Sequence, residues 1–546
     1  MLRLGKEELK MKKDQFAKLR IKTPDFDVEE VWEATKKDPT WVHFGGGNLF
    51  RAYHSVLQHH LIELNETNKG IIVVSTSNDS KIEKAYHPYD NLCLDVIMKT
   101  DGTLDMEVIA SVAESITANQ ETTSWQRLKE IFQNPSLQFI TLTITEKGYD
   151  LEDINGEIRG SVREEIEQGI EHPKHTIVIL TALLFERYQN EKTPLALVST
   201  DNFSHNGDKL KDAVMTVASI WKEIGVVEQG FIDYLNDENI ISFPWSMIDK
   251  ITPQPSLDVQ KKLEEIGFGS VELIQTRKDR PASIAPFVNT EESEYLVIED
   301  RFPNGRPALE KVGVYFTKKE VVDRVERMKV CTCLNPLHTA LAIFGCLLKY
   351  KSIADEMKDE DLKALIEKIG YDEGMKVVTD PGIINPMEFI KEVIEMRFPN
   401  PNIPDTPQRI ATDTSQKLSI RFGETLKMYV NREGLDVNDL TFIPLTIAAW
   451  CRYLMGIDDA GEAFAISPDP LLEDLQQHIQ KIEFGNPDSV GEHLQPILSN
   501  RRIFGIDLYE IGLGEKVEGF FKQLIKGPEA VRTTLHENVE DMIELR

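Results

Sequence analysis

A short apolar run, Trp41-Val-His-Phe44, breaks directly into Gly45-Gly46-Gly47, and the segment after it, LFRAYHSVLQHHLIEL, returns apolar residues at helical spacing. A second β-branched run, Ile71 to Val74, follows. Strand, glycine turn, helix and strand in that order constrain the chain more than any other feature, because they open a parallel α/β unit of the kind that binds a nucleotide. Glycines let the backbone approach a pyrophosphate, while the N-terminus of the next helix supplies N–H groups and a favourable dipole. Arg51, one turn further on, could add a charge to the phosphates. The third glycine of the usual fingerprint is absent, and glycines at a strand end also serve as plain turns. The second strand should close on an acidic residue if a ribose hydroxyl is to be held. It reads Ser75-Thr-Ser-Asn78, with Asp79 slightly late, so NAD is expected with NADP left open.

The alternation continues through Phe139 to Thr145, the helix HTIVILTALLFERYQ and the strand Leu195 to Ser199. Strands alternating with long helices predict a mainly parallel sheet covered on both faces. VIEDRFPNGRPALEK, rich in Pro, Gly and charge, reads as a connector, and beyond it come HTALAIFGCLLKY, PMEFIKEVIEMRF and IPLTIAAWCRYLMG, all helical. The expected organisation is a helical arm over residues 1–40, a Rossmann-like α/β domain over 41–311, and a predominantly α-helical domain over 312–546.

Bulk properties narrow the partners. A net charge of −29 repels phosphate backbones and anionic lipid, so neither nucleic acid nor a membrane surface is expected as a partner. No apolar run is expected to approach the roughly 18 residues that span a bilayer. The first twenty residues carry charges throughout and hold no apolar core of a secretory signal. Five cysteines, an odd number, fit reduced thiols. A cytoplasmic protein is the expectation, of unknown oligomeric state.

Two further stretches carry chemistry. Lys329-Val-Cys-Thr-Cys-Leu-Asn335-Pro-Leu-His338 precedes an almost wholly apolar helix. A lysine packed beside it loses the solvation of its charged form and becomes a base usable near neutral pH. Asn335 and His338 share one helical face, where an amide and an imidazole could reach the same substrate oxygen. The bland alternative is a surface lysine, a helix-capping Asn and a satisfied core His. Cys331, Cys333 and His338 invite a zinc reading, but the Cys-x-Cys spacing is poor and a fourth ligand is missing. Asn202, in Thr200-Asp201-Asn202 at a strand's carboxyl end, lies where open α/β sheets bind ligands, although Asp-Asn also makes simple turns.

The blocks HFGGGNLFRAY, TLTITEKGY, STDNFSHNG, FPWSMIDKITP, EDRFPNGRP, MKVCTCLNPLH and RFPNPNIPDTPQRIATDTSQK, in this order, resemble the polyol-specific long-chain dehydrogenases and reductases. That family includes mannitol 2-dehydrogenase, fructuronate reductase and tagaturonate reductase. The resemblance implies a metal-independent oxidoreductase moving a hydride between a nicotinamide cofactor and a polyol or sugar acid. It assigns Lys329 as general acid/base, Asn202 and Asn335 as the amides on the reacting oxygen, and His338 as orienting a substrate hydroxyl. Asp249, Arg409 and Lys417 are implied to contact substrate, and Glu326 to assist proton passage. Gly45, Gly47, Asn48 and Arg51 fall on the cofactor turn. The basic pair Arg409 and Lys417 leans the substrate toward a hexuronate such as fructuronate, reduced to mannonate, with mannitol or tagaturonate as alternatives. One departure stands out: the family reads K-x₄-N-x-x-H, whereas five residues separate Lys329 from Asn335, and only a local bulge would keep the lysine in place.

Overall fold

In the computed structural model, Trp41–Phe44 (β1) lies inside a six-stranded sheet with Ile71–Ser75 (β2), Val112–Thr117 (β3), Phe139–Leu142 (β4), Leu195–Ser199 (β5) and Ile241–Ser242 (β6). The order is β3-β2-β1-β4-β5-β6 and every pairing is parallel. The direction of winding reverses between β1 and β4, the switch point at which doubly wound sheets bind their ligands. Residues 1–76, 79–153, 156–277 and 283–540 are described.

Alternate residues of a strand face opposite sides, and here both sides are apolar. Val42, Phe44, Ile72, Val74, Ile140 and Leu142 join one core, while Trp41, Ile71, Val73 and Phe139 join another. Helices Thr123–Gln133, Thr176–Gln189 and Asn206–Glu223 cover the first face, contributing Phe132, Leu180 and Val214 among others. The helical run after the glycine turn covers the second with Phe50, Tyr53, Leu57 and Leu61. Cover on both faces is the condition that lets parallel strands be apolar at every position.

The chain divides into two units, Met1–Asp323 and Arg324–Arg546. This boundary lies beyond the expected 311 because Tyr315–Thr317 pairs with Tyr295–Glu299, itself paired with Ser246–Asp249, which ties the connector to the first unit. Residues 1–40 do not form a detached arm. Leu2, Leu9, Phe16, Ile21 and Trp32 are buried with Leu94, Val108 and Phe287, and Ile21–Lys22 adds a parallel strand beside Leu104–Ile109.

The second unit is helical. Its helix Asn335–Leu347 is buried at almost every position and Phe442–Tyr453 at every one, the pattern of helices surrounded by others. With Lys319–Met328, the helix Asn335–Leu347 belongs to one helical run, Lys319–Leu347, which is long and apolar enough by length and composition to cross a membrane, contrary to the run-length reading of the sequence. Its most apolar window is 83% buried inside the protein, as for a core helix. Five π-helical segments occur among the described residues: Phe50–His54, Lys329–Cys333, Lys368–Gly374, Val393–Arg397 and Ser419–Gly423. Such wide turns are rare in globular proteins and collect at functional sites.

Candidate active site

In the first unit, the turn after β1 is built so that only glycine fits at its start. Gly45 has φ +122°, and a Cβ there would sit 2.3 Å from the Thr143 carbonyl oxygen. Gly47 has nothing within 4 Å of a would-be Cβ, so its backbone faces open space. Arg51 is 2% exposed, and neither of its Nη atoms has a hydrogen-bond partner. It lies beside the Tyr86 ring, its Cζ 5.7 Å from the ring centroid. A buried guanidinium with orphaned donors costs free energy until an anion meets it. The open glycine, the start of a helix and this cation therefore fit a pyrophosphate. The Asn48 amide nitrogen donates to the carbonyls of Ser283 (3.2 Å) and Pro253 (3.4 Å), fastening a neighbouring loop, while its Oδ1 is buried without a hydrogen-bond partner.

At the carboxyl ends of β2 and β3, Thr76, Asp79, Ala118 and Asn119 line a cavity, and Asn119 donates to Asp79 Oδ2 at 2.9 Å. Ser77 and Asn78, read as the strand's close, lie outside the described residues. The acidic residue that came late in the sequence thus lines the cavity at the strand ends after all.

After β5 the loop is clamped by its neighbours. Asp201 accepts from Ile144 N (2.8 Å), Thr145 N (3.0 Å) and the Tyr149 hydroxyl (2.7 Å). Asn206 donates to the carbonyls of Ser199, Asp201 and Ser246 and accepts from Ser246 N. Asn202, between these two anchors, is exposed. Asp201 is therefore the structural residue of the pair and Asn202 the available one. Asp249 ends the strand Ser246–Asp249, is 5% exposed, and with Glu294 raises the Tyr53 phenol, whose burial is the larger cause.

The second unit carries the lysine. Lys329 is 4% exposed, which removes the surface-lysine alternative. It opens the π-helical segment Lys329–Cys333, closed by Leu334 N donating to the Lys329 carbonyl five residues back at 3.1 Å. A π turn takes in one more residue than an α turn before the helix resumes. It is a local bulge of the kind that an extra residue between Lys329 and Asn335 requires. Asn335 begins the next helix, and His338 follows one turn later. The Asn335 amide makes no hydrogen bond among the described residues. Glu326 is half-buried, one turn before the lysine.

His338 Nε2 lies 3.4 Å from Asp405 Oδ2. Burial holds this imidazole well below the ordinary histidine range, and the charges of Arg421, Arg397, Arg409 and Lys417 push the same way. The ring is neutral near pH 7, a donor or acceptor rather than a cation. Sequence reading found two of these four cations. Arg409 forms an ion pair with Asp405 and leaves 61% of its side chain exposed. Lys417 is half-buried and donates to the Thr412 carbonyl at 2.5 Å; burial, then the Arg421 charge, lowers it. Arg421 was missed, although it lies one turn beyond the end of the block RFPNPNIPDTPQRIATDTSQK.

The cysteines do not support a metal centre. Cys333 donates to the Pro386 carbonyl (3.8 Å), and burial raises its thiol far above the range where thiolates ligate. Among the described residues, the donor atoms of Cys331, Cys333 and His338 do not converge, whereas those of His59, Glu63 and Glu107 do. There, however, His59 Nδ1 accepts from Ala110 N, which occupies that lone pair and leaves the proton on Nε2, the atom that faces the two carboxylates. The Lys22 ammonium already bridges both acids at 2.6 Å. The two acids already hold a cation of their own, and the imidazole has no lone pair on offer.

The models "Mannitol dehydrogenase Rossmann domain" and "Mannitol dehydrogenase C-terminal domain" match residues 39–311 and 321–524. The chain is 52% identical over 540 residues to a D-mannonate oxidoreductase of Thermotoga maritima, covering 98% of this chain and 99% of the relative. It is 26% identical to the D-mannonate oxidoreductase of Escherichia coli, over 82% and 86%. Its fold is similar to that of Pseudomonas fluorescens mannitol 2-dehydrogenase, solved in ternary complex with NAD and D-mannitol, at TM-score 0.69 and 24% identity over 98% and 99% of the two chains.

Proposed function

Because the chain belongs to the mannitol dehydrogenase family, we propose that it is an NAD-dependent oxidoreductase interconverting D-mannonate and D-fructuronate. The observation that carries the sugar-acid reading is the gathering of Arg397, Arg409, Lys417 and Arg421 around a neutral His338. Arg409 is paired with Asp405, but Lys417 and Arg421 are partly buried with no ion pair among the described residues, and such cations destabilise one another until an anion joins them. A substrate carboxylate supplies that anion, whereas a polyol has only hydroxyls to offer. The likeness to two named D-mannonate oxidoreductases points the same way.

The nicotinamide, when bound, accepts the hydride in oxidation and supplies it in reduction. Around that transfer the chain's own residues manage protons and position. Lys329 takes the proton from the reacting hydroxyl in oxidation and returns one to the carbonyl oxygen in reduction. Asn335 donates to the same oxygen as negative charge grows on it, and Asn202 is assigned the second amide donor by family resemblance. His338 orients a neighbouring hydroxyl, and its neutrality keeps another positive charge out of an already cationic region. Glu326 is assigned to proton passage, Asp249 to substrate positioning, and Gly45, Gly47 and Arg51 to the cofactor's phosphates. Asp79 supports NAD over NADP, because a carboxylate accepts from the ribose hydroxyls and repels a 2′-phosphate.

A panel of D-fructuronate, D-tagaturonate and D-fructose with NADH and NADPH tests this reading, with Lys329→Ala as the mechanistic arm. Preferential oxidation of NADH by D-fructuronate is expected, with loss of about 10²-fold or more in kcat on removing the lysine and cofactor affinity retained. Activity on fructose alone would refute the sugar-acid reading.

A further inference from the structure

Three of the cations around His338 have their charge answered in different ways. Arg409, which family resemblance assigns to the substrate, is bound to Asp405 through its guanidinium and is largely exposed. Arg421 has no carboxylate in ion-pair range among the described residues. Its Nη1 donates to the Thr339 hydroxyl, on the residue next to His338. That hydroxyl donates in turn to the Asn335 carbonyl, so it serves Arg421 as an acceptor and fixes the guanidinium against the start of the helix that carries Asn335 and His338. Lys417 also has no carboxylate in range among the described residues, and Arg421 N bonds the Lys417 carbonyl at 3.0 Å, so the two lie one turn apart. Arg421 stands inside the π-helical segment Ser419–Gly423, where the widened turn changes the direction in which a side chain leaves the helix.

We infer that Arg421, with Lys417 one turn before it, seats the substrate carboxylate and selects a sugar acid over a neutral polyol. The planar fork of an arginine suits a carboxylate in two parallel hydrogen bonds, which an ammonium cannot copy. Thr339 holds one edge of the fork and leaves the remaining donors for the ligand. Burial and the neighbouring positive charge agree with this role: burial pulls Arg421 down to about 10, and burial together with the Arg421 charge lowers Lys417. A carboxylate would relieve both. The same pair gives no advantage to a ligand ending in a hydroxymethyl group, since nothing in it neutralises the charge.

This assignment rests on the proposed activity, and the test separates the two. Arg421→Gln is compared with wild type for D-fructuronate reduction, and for inhibition by D-mannonate and D-mannitol at fixed cofactor. The expected result is a fall of about 30-fold or more in kcat/KM, carried by KM and by the D-mannonate inhibition constant. The D-mannitol constant should move by less than about threefold and NADH affinity should stay unchanged. Arg421→Lys keeps charge without the fork and should weaken D-mannonate by about fivefold, which preserves the test if the glutamine variant fails to fold. Equal changes for both inhibitors, or an unchanged D-mannonate constant, would overturn the assignment alone. Wild-type inactivity on D-fructuronate would overturn the functional reading and this assignment with it.

Discussion

Replacing Arg51 by methionine should move protein stability and cofactor affinity in opposite directions. In the protein without cofactor the guanidinium is 2% exposed and both Nη atoms lack partners. An unsatisfied buried donor costs about 1–3 kcal/mol, and exchanging a buried unpaired charge for an apolar side chain of similar length recovers an amount of that order. A gain of about 2 kcal/mol in a unit of this size raises the melting temperature by roughly 4 °C or somewhat less. With cofactor present, the same change removes hydrogen bonds from a cation to a phosphate, each worth about 1.5–3 kcal/mol, so NADH should bind about 10–100-fold more weakly. Thermal melts with and without NADH, joined to a fluorescence titration, read both effects. A variant that melts lower in the absence of cofactor and binds NADH as tightly as wild type would show that Arg51 is a structural cation, and the argument from its orphaned donors would fall.

Asn335→Ala should lower kcat on D-fructuronate by about 10²-fold with KM little changed, because an amide aimed at developing charge acts in the transition state; steady-state kinetics decides it. Asp79→Ser should weaken NADH and ease NADPH entry, shifting the ratio of the two kcat/KM values by about 10-fold or more. Asp95 is buried with Oδ1 unpartnered, and burial raises its carboxyl from the ordinary 3.8 to about 7. Between those values the native state keeps a proton that the unfolded chain has lost, so this group makes stability fall as pH rises through the window and costs up to about 4 kcal/mol above it. Asp95→Asn should therefore be more stable than wild type at pH 8 and nearly equal to it at pH 4 in urea denaturation; an unchanged difference across that range would refute the assignment of the proton.

Local signals carried the first half of the fold. β1, the glycine turn and the helix after it are neighbours in sequence, and strands apolar at every position can only be satisfied by cover on both faces. The blocks around Asn202, Lys329 and Asn335 were legible for the same reason: each lies within a dozen residues of its own context. The segment 1–40 was misread as an arm because its apolar residues find their partners at Leu94, Val108 and Phe287, far along the chain.

By itself, then, the sequence determined the nucleotide-binding topology and the helical character of the second half, since each follows from spacing over one or two turns. Tertiary structure alone decided three things. It placed a π turn between Lys329 and Asn335, whose hydrogen-bond register depends on the packing around it. It tied Arg409 to Asp405 and set Arg421 against the Thr339 hydroxyl, a distinction that identical charges along the sequence do not show. It buried Arg51 without partners. Charge and hydrogen-bond satisfaction are properties of neighbours in space, and for these residues the neighbours are set by the folded chain.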